Sequence, residues 1–371
     1  MNPEQLAVEG VRKLTPYQPG KPIAELEREM GIPNIVKLAS NENPLGPSPK
    51  ALEAIRSGLG TLRLYPDAGG FELKSALAGK LGVEPAQITL GNGSNDVLEL
   101  AARAFLSVAS SAIFSQHAFA VYPIVTQAVG ASACVAKAHD GSGGPRHGHD
   151  LDAMLELINT RTRLIFIANP NNPTGTYLKR GDLAGFLRKV PEHALVVIDE
   201  AYFEYVSEPD YPNALEWLDD FPNLIVTRTF SKAYGLAGLR VGYAVSSLGI
   251  ADLLNRVRQP FNVNSLGLAA AAAALSDDDY LQRTVALNSE GLVMLAEAMV
   301  KRGLAYVPSV GNFIAIDVGR SALPVYDALL REGVIVRPIA NYGLPNHLRV
   351  TVGAVRENRV FLAALDRVLG L

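Results

Sequence analysis

From Ala104 to Ala136 the chain carries no Asp, Glu, Lys or Arg, and that gap constrains its fold more than any other feature. A membrane-spanning helix or the interior of a sheet-based domain can hold so long an uncharged run. A spanning helix needs about 20 mainly apolar residues in succession. Here Ser107, Ser110, Ser111, Ser115, Gln116, His117, Pro123, Thr126, Gln127 and Gly130 interrupt the run. Strand, loop, helix, strand fits that punctuation, as in the buried layers of a parallel sheet. No membrane association is expected.

The alternation continues on either side. Ile88–Leu90, Ala112–Phe114, Leu164–Ala168, Leu195–Ile198, Leu224–Thr227 and Val241–Val245 read as strands, and Asp96–Phe105, Gly181–Lys189 and Ile250–Arg258 as amphipathic helices. Such an order predicts an α/β domain with a mostly parallel sheet covered by helices on both faces. Residues 1–39 read as an N-terminal arm, stiffened around Tyr17 by Pro16, Pro19 and Pro22, and 40–260 as the large α/β domain. After Pro260 the texture changes. Helices are expected at Leu266–Leu275, Asp278–Arg302, Tyr326–Arg331 and Glu357–Val368, with strands at Phe313–Asp317, Val334–Arg337 and His347–Val352. We read 261–371 as a smaller α+β domain.

With 34 Lys+Arg against 37 Asp+Glu the net charge is −3, which leaves no broad basic face for nucleic acid. Cys134 is the only cysteine, which excludes an intramolecular disulfide and a cysteine-based zinc cluster. Met1–Arg12 holds Glu4 and Glu9 and no apolar run, so no secretory leader is expected and a cytoplasmic location is the default. His139, His147 and His149 flank or lie in the glycine-rich Asp140–Asp150 stretch, which reads as a solvated loop in preference to a metal site.

Four motifs follow apolar strands. Gly91-Asn92-Gly93-Ser94-Asn95-Asp96 opens a helix, where free N–H groups and the helix dipole can hold a phosphate; a tight strand-to-helix turn explains it equally well. Asn169-Pro170-Asn171-Asn172-Pro173-Thr174-Gly175 reads as a rigid loop at a strand's carboxyl end, the edge where open α/β sheets collect ligands, or as a plain turn. Asp199-Glu200-Ala201-Tyr202 places a carboxylate and a phenol at that edge; burying an unpaired charge is costly, so something cationic should face Asp199. Thr229 to Arg240 (TFSKAYGLAGLR) sets Lys232 in a loop that is either solvated or desolvated enough to favour the free amine.

Taken in order, NNPTG, DEAY and TFSKAYGLAGLR resemble the fold-type I, pyridoxal-phosphate-dependent aminotransferases, over nearly the whole chain from Tyr17 onward. The resemblance implies that pyridoxal 5'-phosphate is the cofactor and that Lys232 forms the internal aldimine and shuttles the proton. It implies that Asp199 pairs with the pyridine nitrogen and that Asn172 and Tyr202 bond the ring's 3-oxygen. The backbone N–H groups of Ser94 and Asn95, with Thr229, Ser231 and Arg240, would take the cofactor phosphate. Phe119 would stack on the ring. Tyr65 would reach the phosphate from a second subunit, so a homodimer is implied.

Within that family, Asn41-Glu42-Asn43-Pro44, Tyr65-Pro66-Asp67 and Leu348-Arg349-Val350-Thr351-Val352-Gly353 resemble the histidinol-phosphate branch. This implies L-histidinol phosphate and 2-oxoglutarate as substrates, with imidazole-acetol phosphate and glutamate as their counterparts. Arg349 would grip a carboxylate or phosphate, with Arg337, Tyr17 and Asn43 as further substrate contacts. Arg337–Gly343 is also similar to the aromatic amino-acid aminotransferases, which stand as the alternative.

Overall fold

The computed structural model describes residues 1–371. The uncharged segment folds as the strand Ser111–Ser115, the helix Val121–Ala128 and the strand Ser132–Ala136. The two strands pair in parallel, with Ile113 opposite Cys134. They form one side of a seven-stranded sheet, which continues through Thr162–Ala168, Leu195–Asp199, Leu224–Thr229 and Gly242–Ser246 to Ile88–Gly91 at the far edge. Gly242–Ser246 runs antiparallel to both its neighbours and is the one reversed strand.

Alternating side chains of each central strand enter opposite cores. Ile165, Ile167, Val196 and Ile198 face one layer, whereas Leu164, Phe166 and Val197 face the other. Burial on both faces explains why these strands read as continuous apolar runs. The polar residues that end or follow these strands, Ser94, Asn169, Asp199 and Thr229, gather along the carboxyl edge. The reversed strand begins there, with Gly242 opposite both Gly91 and Thr229, which brings Arg240 to the same edge.

The smaller unit is a four-stranded antiparallel sheet in the order Arg337–Pro338, His347–Thr351, Phe313–Asp317, Tyr306–Val307. The helices Asp278–Lys301, Ala322–Arg331 and Val355–Leu369 close its core around Leu295, Ile316, Leu348, Val350 and Phe361. The expected strand Val334–Arg337 divides in two. Val334–Ile335 pairs in parallel with Val36–Lys37, and Arg337–Pro338 joins the four-stranded sheet. In the arm, the helix Ile23–Met30 buries Leu26 against Leu330 and Ile335 of this unit.

One boundary needs correction. The helix Ser265–Leu275 was placed by sequence in the smaller unit, yet Ala270, Ala271 and Ala274 are buried in the larger core with Leu73 and Leu77. Its small side chains allow close approach to the helix Pro49–Gly58. By packing, the division falls after Leu275 and not at 260. No helix is long and apolar enough to cross a membrane.

Candidate active site

A cavity of about 620 Å³ opens at the carboxyl edge of the large sheet, between it and the smaller unit. Lys232, Asp199, Tyr202, Asn172, Phe119, Ser94, Asn95, Thr229, Ser231, Arg240, Arg337, Arg349 and Tyr17 all line it. Residues up to 332 positions apart in the chain thus converge on one volume.

Lys232 follows the strand Leu224–Thr229, and its half-buried amine donates to the Ser40 carbonyl at 3.1 Å. Burial first, then the Arg349 guanidinium, lower its pKa from 10.5 to about 7 against the opposing pull of Glu42. A lysine so placed is substantially a free amine, and therefore a nucleophile and a base, near neutral pH.

Asp199 ends its strand buried, and no lysine or arginine bonds it. Its Oδ2 accepts from the Tyr122 hydroxyl at 2.9 Å and its Oδ1 from the Thr227 hydroxyl at 3.1 Å. Burial raises its pKa, and those hydroxyls and the Ala201 N–H oppose the rise. The cation that sequence reasoning required is found one residue later: Glu200 takes Arg228 at 2.7 Å, both side chains buried. Asp199 is left as a buried acid open to a cationic group from the cavity.

At the other end, the helix Ser94–Phe105 begins at the cavity, and the N–H groups of Ser94 and Asn95 have no carbonyl a turn earlier to bond. Two glycines make this corner. Gly93 has φ +82° and lies against the Arg240 guanidinium, and a side chain on Gly242 would bring a Cβ within 2.6 Å of the Gly93 carbonyl carbon. Arg240 donates to Ser231 Oγ at 3.2 Å, and the Ser231 N–H donates to Thr229 Oγ1 at 3.1 Å. Five donors therefore surround one anion-sized corner.

Arg349 is buried. It donates to Asn172 Oδ1 at 2.6 Å and the Ala39 carbonyl at 2.7 Å, and its Nε has no partner. Asn172, held through its oxygen, keeps its amide N–H groups free for the cavity. Arg337 is the cross-strand partner of Arg349, lies 5.7 Å over the Tyr17 ring and donates to the Gln18 carbonyl. Cross-strand partners share a face, so two guanidinium groups enter one cavity.

Asn43 is a correction. Its amide donates to the Ala233 carbonyl at 3.0 Å and Thr284 Oγ1 at 3.2 Å and its oxygen accepts from the Leu45 N–H, so it pins the loop and does not line the cavity. Asn41 lines the cavity instead. At φ +55° it accepts from Thr351 Oγ1 at 3.1 Å and donates to the Tyr202 hydroxyl at 2.9 Å. The signal was present, because Asn tolerates the left-handed region, but choosing between two asparagines in one motif needed the fold. Tyr122, whose hydroxyl bonds Asp199, reads in sequence as one more core aromatic in an apolar run. Tyr65 lies outside the cavity, 83% exposed and stacked on Phe261 at 4.8 Å.

A second cavity, about 950 Å³, is lined by His139, His147 and His149 together with Thr176, Tyr177, Leu178 and Lys179. On its rim Lys179 pairs with Asp210 at 3.0 Å, and the His149 Nε2 lies 2.9 Å from the Ala168 carbonyl. No group of His, Cys, Asp or Glu has the spacing to hold a metal ion.

Fold and cavity together define a class of protein. Residues 33–367 match the family described as aminotransferase class I and II, and the chain belongs to that family. Curated relatives narrow the comparison. Histidinol-phosphate aminotransferase 2 of Methylococcus capsulatus is 67% identical over 98% of both chains, and the protein of that name in Pseudomonas aeruginosa is 60% identical, also over 98% of both. Among solved structures, histidinol-phosphate aminotransferase from Sinorhizobium meliloti in complex with pyridoxal-5'-phosphate superposes with a TM-score of 0.89 at 31% identity, covering 98% of this chain and 97% of that one. Aspartate aminotransferase from Thermus thermophilus shares the fold, with a TM-score of 0.84 at 20% identity over 97% of this chain and 99% of that one.

Proposed function

We propose that this chain transfers the amino group of L-histidinol phosphate to 2-oxoglutarate, giving imidazole-acetol phosphate and glutamate, with pyridoxal 5'-phosphate in the cavity described above. The residues present fit that cofactor. A buried carboxylate without a cation suits a pyridinium nitrogen, and the glycine-lined corner of five donors suits a phosphate. When bound, the cofactor supplies an aldehyde that captures the amine and a ring that takes up the electron pair left when the donor's α-proton departs.

The chain's own groups do the rest. Ser94 and Asn95 N–H, Thr229, Ser231 and Arg240 hold the phosphate end, and Tyr65 of a partner subunit completes it in a homodimer. Asp199 keeps the ring nitrogen charged. Asn172 offers its free amide N–H to the 3-oxygen, and Tyr202 its hydroxyl, oriented by Asn41. Phe119 covers one ring face. Lys232 Nζ, its pKa lowered to about 7 by burial and by Arg349, takes the α-proton in its free-amine form and returns it on the cofactor side. The setting for this work is the cytoplasm.

The observation that carries the substrate reading is the cross-strand pair Arg337 and Arg349. One guanidinium suits a carboxylate, whereas a phosphate monoester carries more charge and is matched by two. The same pair then serves the carboxylate of 2-oxoglutarate in the second half-reaction. The two curated relatives named above, at 67% and 60% identity, bear the histidinol-phosphate name, and the aromatic amino-acid alternative is not favoured. The test is a comparison of kcat/KM for histidinol phosphate and phenylalanine. Histidinol phosphate is expected to exceed phenylalanine, and Arg337→Ala to reduce its kcat/KM more than that of a carboxylate donor. A preference for phenylalanine would overturn the reading.

A further inference from the structure

Tyr122 has no exposed surface and lies in an apolar layer with Phe114, Phe166 and Val197. A phenylalanine would satisfy that packing. A buried phenol is costly unless its hydroxyl finds a partner, and here its side-chain partner is Asp199, at 2.9 Å. The ring is fixed on two sides. It stacks on Phe166 with centroids 4.8 Å apart and planes 8° from parallel, and Phe119 meets it edge-on at 5.9 Å. The hydroxyl is therefore aimed at one oxygen of Asp199 and has little freedom to leave it. Thr227, on the adjacent strand, holds the other oxygen.

We propose that Tyr122 is a positioning residue for the reaction: it orients the Asp199 carboxylate and keeps it ionised to meet the cofactor's ring nitrogen. The inference rests on the reading that Asp199 faces that nitrogen. A phenol donating to a carboxylate favours its charged form, and it does so where burial works the other way. Phe119 lies just before the helix Val121–Ala128 and accepts, through its carbonyl, from the Tyr122 N–H three residues on. A single short segment thus supplies both the aromatic over the ring and the support of the acid at the ring's edge.

The test compares binding of two ligands to the cofactor-free protein: pyridoxal 5'-phosphate, and 1-deazapyridoxal 5'-phosphate, in which a carbon replaces the ring nitrogen. Wild type is expected to prefer the natural cofactor. Tyr122→Phe keeps the stack and removes the hydroxyl, and is expected to reduce that preference about five- to tenfold, with the analogue's affinity unchanged. A variant that loses affinity for both ligands equally would make Tyr122 a packing residue and overturn the proposal. So would a preference equal to that of wild type. If wild type itself shows no preference, it is the placement of Asp199 that fails, a result distinct from either.

Discussion

The chemistry at the residue scale turns on one amine. Lys232 is pushed down to about 7 by burial and by Arg349, so its neutral form dominates above about pH 7 instead of above 10.5. Capture of the cofactor aldehyde requires the neutral form. The rate at which cofactor-free protein combines with pyridoxal 5'-phosphate, followed by absorbance, should rise through about pH 7 and level off above it. A rise centred near the ordinary lysine value would contradict the assigned environment. That Lys232 and Asp199 reach the cavity was legible in sequence because each ends or follows an apolar strand within a motif of fixed order. Asn41 and Tyr122 were not, since their roles depend on partners 161 and 77 residues away.

Among the elements, the close approach of the reversed strand to the helix Ser94–Phe105 shapes the five-donor corner proposed to hold the cofactor phosphate. Gly242→Ala would force a Cβ into the Gly93–Ser94 backbone. It should cost about 1–3 kcal/mol in stability and weaken cofactor affinity, read by melting temperature and equilibrium binding. Gly249→Ala, in the helix Leu248–Val257 with open space around it, is the control and should be neutral or slightly stabilising. Unchanged cofactor affinity in Gly242→Ala would remove the strand from the site. Strand positions were legible here, because runs buried on both faces leave an unbroken apolar signature. Strand direction was not: Val241–Val245 reads like its neighbours although it runs the other way. Nor was the allegiance of Ser265–Leu275, whose alanines suit either unit until a partner helix is in place.

The molecule as a whole carries an exposed apolar stretch around Tyr65, including Leu59, Leu62, Leu64 and Phe71. Exposed apolar side chains gathered in one short stretch suit an association surface, and the proposed homodimer would use it to bring Tyr65 to the opposite site. Coexpressed Lys232→Ala and Tyr65→Ala chains provide the test. A mixed dimer would contain one complete site, so activity should return to about a quarter of wild type. Activity no greater than the average of the two separate variants would place Tyr65 outside the site. The change of texture after Pro260 was legible along the chain, although the helix Ser265–Leu275 that opens it packs with the larger core.

Reduction of the cofactor-loaded protein with borohydride, followed by peptide mapping, tests the central claim most directly. The account predicts a single labelled peptide with the pyridoxyl group on Lys232. A label on any other lysine, or no label at all, would contradict it.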